Sequence, residues 1–117
     1  MIGMINKSID ELKDLPKIDE KSLYKIFGLD ESKVLIMSIT YDFTTNTVTV
    51  SYKDISEQMK QIQEIITKAI KIKKEIETET NEVKKAILIS ELAQLANQYN
   101  MILSEIGKEM PPLYDVI

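Results

Sequence analysis

The side chains able to do chemistry in this chain are lysines, carboxylates and tyrosines. Its 15 basic residues are all lysine, beside 19 acids and 5 tyrosines, and histidine, cysteine and arginine are absent. The densest positive region is Lys68, Lys71, Lys73 and Lys74 with Lys84 and Lys85, where Lys71 and Lys74 are the candidate phosphate contacts. Against that chemistry, Glu64 with Lys68, Lys71 with Glu75 and Lys73 with Glu77 are all i,i+4 pairs of the kind that dress a solvated helix. No aromatic residue interleaves with these lysines to stack a base. Glu75, Glu79 and Glu82 share a helical face and would offer oxygens to a hard cation. Di-metal bundle sites, however, draw carboxylates from several helices, usually with a Glu-x-x-His pair, so no metal site is expected.

The missing residue types exclude more than the present ones suggest. Without cysteine there is no disulfide framework, thiolate nucleophile or cysteine-bound zinc. Without histidine the chain lacks the side chain that most readily moves protons near neutral pH. Without arginine it lacks the planar fork that reads carboxylate, phosphate and guanine. The composition therefore predicts a protein that is not an enzyme and needs no cofactor. The net charge of −4 is spread evenly, with no basic arm or acidic tail, and nucleic acid is not an expected partner. No apolar run approaches the length of a membrane span, and the apolar start at Met1 is too short for a secretory signal. A cytoplasmic location is the expectation. Lysine and glutamate enrichment is in keeping with a thermophilic origin.

The elements follow from periodicity. At 117 residues the chain reads as a single domain. Two short helices are expected within 1–30. The first, from Met4 to Leu15, carries Ile5, Ile9 and Leu12 on one face and is stopped by Pro16. The second is capped by Asp19, stapled by Ile18 and Leu23, and closed by Gly28. Asp30 to Lys33 reads as a turn. Over 34–53 the period changes to two, giving a β-hairpin. Leu35, Met37, Ile39, Tyr41 and Phe43 share one face of its first strand, and Val48, Val50 and Tyr52 one face of its second. Pairing Phe43 with Val48, Tyr41 with Val50 and Ile39 with Tyr52 keeps both sets on one side. Asn46 is the expected left-handed residue of the turn.

From Ile55 to Ile106 there is no proline or glycine, and apolar residues recur at helical spacing. An initial helix of about 24 residues, or about 36 Å, buries Ile55, Met59, Ile62, Ile65 or Ile66, Ala69, Ile72 and Ile76, capped by Asp54 or Ser56. Near Thr78 to Asn81 the stripe slips in phase. A helical hairpin over 55–106 is predicted, with Thr80 or Asn81 capping its second arm; one continuous helix is the competing picture. In the second arm Leu88, Leu92, Leu95, Tyr99, Ile102 and Ile106 step by four and three, the seam of a coiled-coil-like interface. Gly107 closes the arm, and residues 107–117 form a tail containing Pro111 and Pro112. Pro111-Pro112-Leu113-Tyr114 resembles the PPxY motif that WW domains hold in polyproline geometry, which makes Pro111, Pro112 and Tyr114 a candidate peptide motif.

These elements predict an α+β fold: one antiparallel β-hairpin packed on helices, with a long C-terminal antiparallel helical hairpin. The expected function is non-enzymatic, that of a small interaction or assembly protein acting as a homodimer or higher oligomer, with a further protein partner. The order of elements also resembles that of winged-helix regulators that dimerise through a C-terminal helix. That resemblance implies DNA binding, for which the face in question offers Lys21, Lys25 and Lys33 and the wing tip offers Thr44-Thr45-Asn46-Thr47, with no basic residue.

Overall fold

The computed structural model describes residues 2–12 and 20–117. The chain is α+β and divides into two compact units, Met1–Ser56 and Glu57–Ile117.

The N-terminal unit is a three-stranded antiparallel sheet in the order β1-β3-β2, with β1 at Ile2–Ser8, β2 at Val34–Asp42 and β3 at Thr47–Asp54. Helix α1 (Glu20–Ile26) precedes the hairpin. Gly28 ends α1 in the left-handed conformation (φ 65°), where its N–H donates to Lys25 O and that of Leu29 to Tyr24 O. Those two bonds satisfy carbonyls the helix end would otherwise leave open. The core gathers Leu12, Leu23, Phe27, Val48 and Val50, with Ile5, Ile9, Ile36 and Ile39 packed around them. Val48 and Val50 are wholly buried because β3 is the central strand. Each such side chain contributes on the order of 1.5–3 kcal/mol.

Three expectations are corrected in this unit. The helix from Met4 to Leu15 is instead strand β1 followed by a 3-10 turn at Ile9–Leu12. Ile5, Ile9 and Leu12 still reach the core, but through an extended backbone, because β3 needs a second neighbour and β1 supplies it from Ile2↔Lys53 to Ser8↔Thr47. The hairpin register is shifted by two residues from that expected: Tyr41 faces Val48 and Ile39 faces Val50, which keeps the faces matched and leaves Phe43 in the turn. Finally, a bulge between Ile36 and Ser38 turns Ile36 inward and leaves Met37 exposed. The left-handed Asn46 (φ 55°) is as expected, whereas the four-residue turn spans 43–46 and not the 44–47 that pairing Phe43 with Val48 implies. Asn46 also ties the turn to the end of β1, donating to Ser8 Oγ and Asp10 Oδ2. The capping roles given to Asp19 and Ile18, and the stop at Pro16, lie outside the described residues.

In the C-terminal unit the helical hairpin replaces the continuous-helix alternative. Its arms are α2 (Ser56–Thr78) and α3 (Glu82–Ile106). The Asp54 carboxylate accepts the N–H and hydroxyl of Ser56 at the start of α2, and these bonds hold its pKa below the usual carboxylate value. Asn81 caps α3, its Oδ1 accepting from Val83 N at 3.0 Å and Lys84 N at 3.1 Å. Gly107 (φ 71°) closes α3, and both it and Lys108 donate to Leu103 O. Beyond Pro112 a short helix, α4 (Leu113–Val116), buries Leu113 at 2% exposure.

Candidate interaction surfaces

Helix α3 is apolar over more of its circumference than one neighbour can cover. Its buried row is Leu92, Ala96, Tyr99, Leu103 and Ile106. Of the predicted seam, Leu92, Tyr99 and Ile106 belong to that row, whereas Leu88, Leu95 and Ile102 are half-buried. The buried face is thus rotated toward Ala96 and Leu103. Val83, Ile87, Ile89 and Met101 are exposed on the same helix, Val83 at 72%.

The half-buried residues mark an open groove between the arms. Ile65 and Ile72 of α2 meet Leu95 and Ile102 of α3 along its floor, in two adjoining segments of about 380 and 330 Å³ that share Lys68 and Gln98. The rim is charged, with Lys68, Lys71 and Glu75 on one side and Glu91 and Glu105 on the other. Lys71 therefore borders the groove, while Lys74 is exposed and lines neither segment. Among the described residues none of the three α2 lysine–glutamate pairs closes to an ion pair; Lys7 and Glu11 do so at 3.4 Å. The three glutamates weighed as cation ligands go separate ways: Glu75 borders the groove, Glu79 accepts the N–H of Asn81, and Glu82 stands in the first turn of α3. No three potential metal ligands stand together among the described residues.

The tail is docked. Tyr99 is fully buried, and its hydroxyl donates to Pro111 O at 2.7 Å; burial pushes its pKa up. Lys73 Nζ reaches the main-chain oxygen of Ile117 at 2.8 Å. Pro111, Pro112 and Tyr114 are exposed around the buried Leu113. Because 113–116 is helical, polyproline geometry through Tyr114 requires the tail to leave its seat.

Two features of the sheet escaped the sequence. Phe43, 80% exposed in the turn, stacks on Tyr41 with ring centroids 6.3 Å apart and planes 13° from parallel. Its alternation with Tyr41 pointed to the inner face, but the ladder closes at Asp42↔Thr47, one residue earlier. Ile2 and Met4 on β1 and Met37 at the bulge of β2 are also exposed; the helical assignment of 4–15 hides this for Met4, and the bulge hides it for Met37. Among the described residues no helix is long and apolar enough to cross a membrane. In comparisons with known proteins the chain matches no family model, no curated protein and no solved structure.

Proposed function

We propose that this is a non-enzymatic interaction and assembly protein that works as a homo-oligomer, with α3 and the groove beside it making contacts between chains. One observation carries the reading: α3 buries the row from Leu92 to Ile106 and still presents Leu88, Leu95 and Ile102 half-covered and Val83, Ile87 and Met101 bare. A helix apolar on more than one flank is suited to more than one neighbour. The lack of histidine, cysteine and arginine supports the same reading by removing the usual reagents of catalysis.

Leu95→Asp tests it. The site is half-buried, so the new carboxylate stays hydrated in the isolated chain and the fold should survive, whereas a contact across the groove would have to desolvate it. Light scattering coupled to size exclusion should show an oligomer for the parent chain and a smaller species for the variant, with unchanged helical circular dichroism. A parent chain that stays monomeric at every concentration and binds no protein would overturn the proposal.

A further inference from the structure

We infer that strand β1 pairs with β1 of a second copy about a two-fold axis through Ile5, joining two three-stranded sheets into one of six strands. This deepens the self-assembly reading and rests on it, while placing a contact on the N-terminal unit.

The two borders of the sheet differ. On β2 the bulge between Ile36 and Ser38 breaks the flat edge, and the N–H of Ile36 is taken by the Tyr24 hydroxyl at 3.0 Å. Bulges and covering groups are the devices by which sheets block strand addition. β1 pairs with β3 over seven consecutive residues without a register shift. Ile9 N donates to Asn46 O at 3.0 Å, so the alternation of an antiparallel ladder turns Lys7, Ile5 and Gly3 toward β3. The main-chain groups of Ile2, Met4 and Asn6 then point outward, and among the described residues the backbones of Met4 and Asn6 have no hydrogen-bond partner on that side.

The sequence of β1 selects its twin and one register. Centring on Ile5 pairs all seven residues: Ile2 with Ser8, Gly3 with Lys7, Met4 with Asn6, and Ile5 with itself. Lys7, the one charge on the strand, then faces a glycine; centring nearer Lys7 brings two ammonium groups together, and centring on Met4 pairs fewer residues. In the favoured register Met4 and Asn6 exchange both main-chain bonds, while the two Ile5 side chains meet at a close, non-hydrogen-bonded position. Ile5 already shares a row with Val50 and Ile39. The pairing makes that row continuous through both copies, from Ile39 and Val50 to Ile5 and on into its mirror sequence, on the face that packs the core.

The chain has no cysteine, so Ile5→Cys carries a single thiol. At a non-hydrogen-bonded position two such thiols lie within disulfide reach. Under mild oxidation Ile5→Cys should run as a covalent dimer, whereas Met37→Cys, exposed on the guarded border, should stay monomeric on a denaturing gel. On the unmodified chain, hydrogen exchange at the Met4 and Asn6 amides should slow by at least about tenfold from dilute to concentrated protein. An oligomeric parent chain with fast exchange at Met4 and Asn6 and no cross-link at Ile5 overturns the edge pairing and leaves the self-assembly reading standing. A parent chain monomeric throughout overturns both.

Discussion

Replacing Tyr99 by phenylalanine removes one oxygen from a fully buried ring and with it the 2.7 Å bond to Pro111 O that seats the tail. The ring itself stays, so no cavity term of the kind that follows truncation to alanine arises. Pro111 is exposed, so its released carbonyl recovers water and does not remain orphaned. What is lost is the net value of one hydrogen bond, about 1 kcal/mol, or about a fivefold change in the equilibrium holding the tail. Trypsin cleavage at Lys108 reads that equilibrium when opening is faster than cutting, and should accelerate by about the same factor. The alkaline limb adds a sign. Burial raises the folded-state pKa of Tyr99 above its ordinary 10.0, so the stability linked to its proton is fully present below that value. It is lost as pH climbs through the folded pKa, because the unfolded chain ionises first. Tyr99→Phe has no such proton, and the stability gap between the two proteins should narrow above pH 10.0. Equal cleavage rates and a gap that does not change with pH would refute both the seating role of this bond and the protonated, buried state of the phenol.

Two further substitutions probe the folded units one at a time. A Cβ built on Gly3 would overlap Cζ of Tyr52, so Gly3→Ala must displace that ring and should cost about 1–3 kcal/mol in a denaturant titration; in a Tyr52→Val background the cost should vanish, and an equal cost in both backgrounds would exonerate the ring. Asn81→Ala removes the acceptor of two N–H groups at the start of α3 and should cost about 1 kcal/mol, read as a lowered thermal midpoint with unchanged oligomeric state.

The features legible in the sequence were those decided within a few residues of themselves. Gly28, Asn46, Asn81 and Gly107 each took the turn or cap role their chemistry suggested, because a left-handed φ or a capping oxygen is a local requirement. β1 was not legible. Ile5, Ile9 and Leu12 fit helical spacing, and only the vacancy beside β3, some forty residues away, favours the extended form. The Met37 bulge is likewise invisible to alternation, which assumes one residue against one. On α3 the seam residues were the right side chains, but the tilt toward Ala96 and Leu103 depends on what lies against the helix. The groove floor follows from that tilt: the spacing predicts Leu95 and Ile102 hidden, and they are half in water.

The kinked border of β2, with Tyr24 across it, also limits what kind of aggregate this sheet can seed. Amyloid-like growth needs a strand to be templated on one side and to serve as a template on the other. A sheet with a single receptive border can accept one neighbour and then offers only a crooked, hydroxyl-stoppered flank, so elongation ends after one addition. With β1 paired as proposed, the bulge and the tyrosine together would act as a chain terminator for this isoleucine-rich protein.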